Sequence, residues 1–429
     1  MRISFLIHNA YGLGGTIRAT HNLAAGLAAQ HEVEIVSVFR HRERPFLGHD
    51  PRVTLRHLVD LRPGTAAYEG DHPEHALAAE DFPREDPQYP AYSVLTDRRI
   101  SDHLAASGAD VVVATRPGLT FHLARQGARG AVCVGQEHLG LDAHPAALRR
   151  RLRSVYPCLD ALTTPTEADA RAHRDRLRLP GVRVEALPNA VPAPVGPSAD
   201  PAARRIVAAG RLVPVKRYDL LIRAFARVHG LHPDWSLDIC GAGQERAALA
   251  ALAERLGLAG AVRLRGAVHP VEEIWAEGSV AAVSSRREAF GMAMVEAMRC
   301  GVPVVAADCP HGPREILTDG VDGRLVTPAD PDALADGLLH LVRDEPLRRA
   351  MGEAARDSAA RYDPAAVAES CSDLLTSLVG RHGRTGAAAR LRGSAHRARG
   401  AVLSAAFALR DTGRALGRTA RPAAPGGAT

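Results

Sequence analysis
Ile206-Val207-Ala208-Ala209-Gly210-Arg211-Leu212-Val213-Pro214-Val215-Lys216 is an apolar run that stops at a glycine, passes through a loop carrying two cations and leads into the helical pattern Tyr218–Val228. A short apolar run closed by glycine and followed by helix periodicity reads as a strand-turn-helix unit. The chain opens the same way, with Ile3–Ile7, then Asn9-Ala10-Tyr11-Gly12-Leu13-Gly14-Gly15-Thr16, then the helical stretch Thr16–Gln30. Around these two openings lie further apolar runs: Val33–Val38, Val111–Ala114, Ala131–Val134, Ala161–Thr164 and Val184–Leu187 in the first half. Ser236–Cys240, Val262–Leu264, Val280–Ser284 and Val302–Ala306 follow in the second. Helical stretches such as Glu245–Leu256 and Met292–Arg299 separate them. Strands alternating with helices predict an α/β fold with parallel, doubly wound sheets.

The pattern breaks at Val191-Pro192-Ala193-Pro194-Val195-Gly196-Pro197, a stiff proline-rich linker after which strand periodicity restarts. Residues 1–192 and 201–360 are therefore read as two Rossmann-like domains joined by a linker at 193–200. Two such domains facing one another place the carboxyl ends of both sheets on one cleft, where ligands bind in this class. Residues 45–100 are polar and rich in His, Pro and Asp, and are read as an insertion or mobile flap at the cleft mouth.

A chain of 429 residues, 46% hydrophobic and 24% charged, is long enough for two domains with real cores. Its net charge of +6 is uneven, because residues 381–429 hold ten arginines and one acid, which leaves −3 for residues 1–380. The body thus lacks the basic stripe of a nucleic-acid binder. None of the six cysteines forms a CxxC pair or a zinc spacing, so they are read as reduced core residues. Met1–Ile7 already reads as a strand rather than a secretory leader, and Ala401–Leu409 is too short to span a bilayer, so the expected compartment is the cytoplasm. The tail 381–429 suits either a solvated disordered segment or a weak helix making peripheral contact with a membrane or an anionic polymer; Arg149-Arg150-Arg151-Leu152-Arg153 hints at the same acidic partner.

Lys216 is the only lysine in a chain with 54 Lys and Arg residues. A compact ammonium on a flexible stem differs in shape and hydration from guanidinium, so Lys216 and Arg211 together suit a doubly charged phosphate group; survival of one lysine by chance is the alternative. The Gly12–Thr16 turn lets backbone approach a phosphate, with the N–H groups of the next helix unpaired. It is no nicotinamide fingerprint, since Ile17 stands at the third glycine position and Phe39-Arg40 where an acid would end the second strand. A Walker loop is excluded because the only lysine follows Val215.

A second site is Ser284-Ser285-Arg286-Arg287-Glu288-Ala289-Phe290-Gly291-Met292-Ala293-Met294-Val295-Glu296. Glu288 lies at the turn into a helix and Glu296 within it. Paired carboxylates can grip vicinal hydroxyls, and the free N–H groups near Phe290–Ala293 can hold a phosphate or sugar oxygen. Helix capping by Glu288 and glycosidase-type acid/base chemistry are the other readings. Cys240-Gly241-Ala242-Gly243 makes a third turn, and His138 follows a strand in Gly135-Gln136-Glu137-His138.

In combination, Gly14-Gly15, Leu187-Pro188-Asn189-Ala190-Val191, Arg211-x4-Lys216, Gly241-x-Gly243 and Glu288-x7-Glu296 resemble retaining glycosyltransferases of family 4. Gly301-Val302-Pro303-Val304-Val305, Gly312-Pro313-Arg314-Glu315-Ile316 and Asp319-Gly320-x-Asp322-Gly323 fit the same family, over about residues 1–378. The resemblance implies a GT-B fold, in which an acceptor sits mainly on the first domain and a nucleotide-sugar donor mainly on the second. It implies that Arg211 and Lys216 neutralise the donor diphosphate, that Glu288 holds the transferred sugar and that Glu296 holds the ribose. Gly14, Gly15, Gly241, Gly243, Phe290, Gly291 and Met292 would border the donor, and the segment 266–268, ending at Val268, would line the base. His138 matches loosely a histidine near the transferred sugar, although Gln136-Glu137 before it depart from the family. No metal or other cofactor is implied, and the helix within 361–380 would cross back to the first domain. The resulting expectation is a retaining hexosyltransferase that uses a nucleotide sugar, a UDP-sugar first, on a hydroxyl of a cell-envelope glycan, polyol-phosphate polymer or lipid. An inactive nucleotide-sugar-binding scaffold, or a GT-B epimerase or phosphorylase, is the alternative.

Overall fold
The computed structural model describes residues 1–382 except Arg129 and Pro197; the arginine-rich tail and its helix expectation lie outside the described residues. Seven strands form the first sheet: β1 (Arg2–Asn9), β2 (Glu32–Arg40), β3 (Val53–Asp60), β4 (Val111–Ala114), β5 (Val132–Gln136), β6 (Ala161–Thr164) and β7 (Arg183–Ala186). They run parallel in the order β3-β2-β1-β4-β5-β6-β7. Six more strands form the second: β8 (Arg205–Ala209), β9 (Ser236–Cys240), β10 (Val262–Gly266), β11 (Val280–Val283), β12 (Val304–Ala307) and β13 (Gly323–Val326). Their order, β10-β9-β8-β11-β12-β13, repeats the winding of the first sheet without its last edge strand. Each order reverses beside the opening strand, at β1/β4 and at β8/β11, where a doubly wound sheet leaves a crevice at its carboxyl end.

The strand period of two builds a core on each face of each sheet. Ile3, Phe5 and Ile7 of β1 enter one core while Leu6 enters the opposite one. Ile206 and Ala208 of β8 face one core of the second domain and Val207 the other. The six cysteines are buried, and none forms a disulfide among the described residues.

Two strands, β3 and β13, have no counterpart among the apolar runs read from the sequence. Both are edge strands. β3 reads Val-Thr-Leu-Arg-His-Leu-Val-Asp and β13 only Gly-Arg-Leu-Val. An edge faces water on one side and tolerates charge, which erases the continuous hydrophobic signal of a central parallel strand. The reading of 45–100 as a flap is corrected accordingly. Beyond β3 the segment is tied down, because the Asp97 carboxylate accepts from the backbone N–H groups of Glu80, Asp81 and Phe82, and Phe82 stacks on Tyr92 with centroids 3.5 Å apart. The stretch around Phe46 reaches the second domain, where its ring meets His269 at 5.5 Å.

The last helix, Pro364–His382, belongs to the core of the first domain through Val367, Cys371, Leu374, Leu375 and Leu378. Gly26 permits that packing, since a Cβ there would lie 2.6 Å from the Pro364 carbonyl oxygen. Two chain crossings therefore join the domains, and they are bonded to each other: Val191 N–H donates to the Tyr362 carbonyl at 2.8 Å.

Candidate active site
Gly210 follows β8, and its Cβ would come within 2.8 Å of the Tyr218 hydroxyl, so glycine lets the turn fold back over the following helix. Pro214–Lys216 then makes a single tight turn, and Arg217, in the left-handed region at φ 51°, starts the helix Tyr218–Leu231. This turn carries Lys216 to the loop that leaves β11. Arg286 N–H donates to the Val215 carbonyl (2.8 Å), and the Ser284 hydroxyl donates to the Lys216 carbonyl (2.8 Å). Lys216 Nζ then reaches Glu288 Oε1 at 2.6 Å, and the Ser285 hydroxyl donates to the same oxygen at 2.6 Å. Lys216 and Glu288 are 72 residues apart and meet only because β8 and β11 are neighbours at the point where the strand order reverses. Burial, with Glu288 alongside, pushes the Tyr218 phenol well above its ordinary value. Arg211 is exposed on the same turn and makes no ion pair among the described residues.

Gly241 and Gly243 have a packing reason. A Cβ on either would overlap the Gly210 or Leu212 carbonyl, and Leu212 N–H donates to the Ala242 carbonyl at 2.9 Å. They seat the β9 turn directly against the cation-bearing turn. Phe290 is buried and packs edge-on against Tyr362 at 5.4 Å, so its ring belongs to the hinge core and only its backbone faces the turn. Gly291, at φ 116°, begins the helix Met292–Arg299 with no side-chain cap and no acid in the first turn. Met292 and Val268 are half-buried at the border of the same core.

From the first domain, the helix Gly15–Leu27 points an equally uncapped, acid-free amino end toward the cleft. A Cβ on Gly15 would meet nothing within 4 Å, which leaves open room over that backbone. Unpaired N–H groups at two helix starts, with Arg211 and Lys216 between the sheets, make an environment suited to a polyanion.

Glu296 is buried, and burial pushes its carboxyl above the ordinary range against the opposing pull of Arg18. Arg18 Nη1 donates to Glu296 Oε1 at 2.6 Å across the two domains. No sequence motif singled out Arg18, but it lies one turn beyond Gly14-Gly15. The interface has a second clasp, in which the Glu315 carboxylate accepts from the Glu167 and Ala168 N–H groups, each at 2.7 Å, at the start of the helix Glu167–Leu177.

His138 lies at the carboxyl end of β5. Both ring nitrogens are shielded from solvent without a hydrogen-bond partner of good geometry, and burial lowers its pKa to about 4. It is neutral near pH 7. Beside it, Glu137 accepts from the Tyr156 hydroxyl and lies 3.4 Å from His144 Nε2. His311 was not foreseen. It sits at φ 81° next to Glu288 in a short parallel bridge, and its ring packs over Gly140 of the first domain. A left-handed non-glycine residue beside the cleft is the structural signal that marks it. Among the described residues no group of His, Cys, Asp and Glu could hold a metal ion, and no helix is long and apolar enough to cross a membrane.

Family models place this architecture. Residues 198–358 match the model described as Glycosyl transferases group 1, and residues 13–193 match Glycosyltransferase Family 4. An exopolysaccharide phosphotransferase of Streptomyces coelicolor is 35% identical over 396 residues, which are 89% of this chain and 41% of that protein. A D-inositol 3-phosphate glycosyltransferase of Stackebrandtia nassauensis is 33% identical over 249 residues, 52% of this chain and 56% of the relative. The chain thus spans roughly two fifths to just over half the length of these relatives, whose names describe larger wholes. Among solved structures, S. aureus TarM, in a complex that includes UDP, superposes with a TM-score of 0.71 at 15% identity, covering 87% of this chain and all of that one. The sucrose-phosphate synthase of Thermosynechococcus elongatus gives 0.72 at 17%, over 89% of this chain and 100% of that one. Anabaena HepE in complex with UDP gives 0.66 at 18%, over 88% and 100%. At such identities the likeness is one of fold, the two-domain GT-B architecture. With one doubly wound sheet under each of two family models matched in chain order, the chain belongs to the group 1, family 4 glycosyltransferases of GT-B fold.

Proposed function
We propose that the protein moves a hexose from a nucleoside-diphosphate sugar, a UDP-sugar first, to a hydroxyl of an acceptor held on the first domain, with retention at the anomeric carbon. The observation that carries this is the 2.6 Å pairing of Lys216 with Glu288 where β8 and β11 diverge, between two uncapped helix starts. Cations alone would suit any phosphate. A carboxylate bonded to one of them suits a ligand in which phosphate and hydroxyls are adjacent, as they are in a sugar diphosphate. Lys216 and Arg211 stabilise the charge that develops as the bond between the anomeric carbon and the diphosphate oxygen breaks. The electron pair of that bond leaves on the diphosphate. The acceptor oxygen bonds to the same face of the anomeric carbon, and its proton passes to the departing phosphate oxygen. Glu288 holds the hydroxyls of the transferred sugar, Glu296 those of the ribose, and the Gly14–Gly15 backbone borders the diphosphate. His138, kept neutral by burial, can exchange a hydrogen bond with the sugar without adding charge. None of these roles calls for a metal ion. Relatives solved with UDP support uridine as the first base to try.

The test is a panel of UDP-, GDP- and ADP-sugars offered to the full chain with polyol, glycan and lipid acceptors, with nucleotide release and product configuration both recorded. Nucleotide release with an α-linked product from an α-donor is expected. An inverted product overturns the retaining mechanism. A folded protein that neither binds nor turns over any nucleotide sugar overturns the reading of the cleft.

A further inference from the structure
The Arg18–Glu296 contact joins two residues 278 positions apart, one from each domain, with side chains only 18% and 9% exposed. Glu296 lies in the helix Met292–Arg299, where burial and the nearby Glu272 both disfavour its charge. Its compensating cation is supplied by the opposite domain. A buried carboxylate without a partner takes up a proton, and a carboxylic acid is a poorer acceptor for hydroxyls than a carboxylate. Arg18 engages Oε1 and Trp275 also lies against the carboxylate, and a carboxylate, with about four lone-pair sites, keeps further lone pairs for hydroxyls. Arg18 is also coupled to the glycine turn, since its N–H closes the first helical bond on the Gly14 carbonyl at 3.0 Å. The glycine backbone and the residue that pairs with Glu296 therefore lie on one helical turn.

We propose that Arg18 is a positioning residue for the donor, holding Glu296 ionised and aimed so that the ribose hydroxyls are recognised only when the two domains meet. This rests on the donor reading of the cleft given above. A plain interdomain ion pair would also show this contact, but it would treat a nucleotide with ribose hydroxyls and one without them alike.

The experiment is calorimetric titration of the full chain with whichever of UDP, GDP or ADP the parent binds, and with the 2′,3′-dideoxy form of that nucleotide. Parent, Arg18→Met and Arg18→Lys are compared after their melting temperatures show them folded. Arg18→Met is expected to weaken the ribonucleotide by about tenfold, the scale of one charge-assisted hydrogen bond, and to leave the dideoxy form nearly unchanged. Arg18→Lys is expected to recover part of the loss. Should Arg18→Met fail to fold, Arg18→Lys alone carries the comparison, with a smaller difference of the same sign. Equal weakening of both nucleotides, or none, overturns the proposal while the donor reading stands. A folded parent that binds none of the nucleotides overturns the donor reading, and the role of Arg18 falls with it.

Discussion
Lys216 and Glu288 neutralise each other across 2.6 Å, so removing either leaves the other partly buried and uncompensated. Lys216→Ala is expected to lower turnover by about a hundredfold or more, the scale of losing one preorganised electrostatic contact, while the variant still folds, with a modestly lower melting temperature from the uncompensated Glu288. Turnover within a factor of two of the parent would remove Lys216 from the mechanism. Two strongly shifted histidines contribute to the pH dependence of stability. Burial lowers the pKa of His8 to about 3 and that of His138 to about 4, both from 6.5. Below pH 6.5 the unfolded chain binds a proton at each position and the folded chain does not, so stability rises with pH through this window. The contribution is complete above pH 6.5 and is lost toward pH 4, at up to about 1.4 kcal/mol per pH unit and group. His8→Phe, which cannot take up that proton, should flatten the acid limb in urea titrations run between pH 7 and pH 5. An unchanged slope would contradict the assignment.

At the scale of elements, glycines record where backbones touch. Gly26 lets the helix Gly15–Leu27 lie against the returning helix Pro364–His382, and Gly26→Ala would place a Cβ 2.6 Å from the Pro364 carbonyl oxygen and 2.9 Å from the Ala368 Cβ. A loss of about 1–3 kcal/mol is expected in denaturant titration, as for other overpacked sites. Gly230 is the internal control. It lies in the helix Tyr218–Leu231 with nothing within 4 Å of its Cβ position, so Gly230→Ala should stabilise by about 0.4–1 kcal/mol. If both substitutions moved stability the same way, backbone propensity rather than close approach would govern Gly26.

For the whole molecule, two chain crossings and two carboxylate clasps are among the contacts that hold the domains together. Glu315 reaches from the second domain to cap a helix of the first, and its own carbonyl accepts from Arg361 and Tyr362 at the hinge. It thereby links hinge geometry to the meeting of the domains. Glu315→Ala is expected to speed exchange of the Glu167 and Ala168 amide protons by about fivefold, the equivalent of losing a helix cap of about 1 kcal/mol, without affecting amides in β1 or β8. Unaltered exchange at Glu167 and Ala168 would mean that the clasp does not hold in solution.

Much of this was written in the sequence as local pattern. Central parallel strands are buried on both faces and read as unbroken apolar runs, so β1, β8 and β9 with their glycine turns were legible, as were β11 and the break at the proline linker. Glu288-x7-Glu296 and Arg211-x4-Lys216 each lie within one short segment, and their spacing survives folding unchanged. Edge strands β3 and β13 were not legible, because β3 is interrupted by Thr, Arg and His and β13 is only four residues with an arginine, which a solvent-facing edge tolerates, whereas the edges β7 and β10 keep enough apolar residues to be read. Nor were the partners of Glu288 and Glu296. Lys216 reaches the first through the neighbouring of β8 and β11, Arg18 reaches the second through the meeting of two domains, and His311 comes alongside by pairing with the Glu288 backbone. The sequence by itself determined which strands, turns and charges exist, since these follow from periodicity and residue chemistry over a few neighbours. Only the tertiary structure decided which charges face each other, because pairing over 72 or 278 residues is set by strand order and domain packing, for which no local pattern codes.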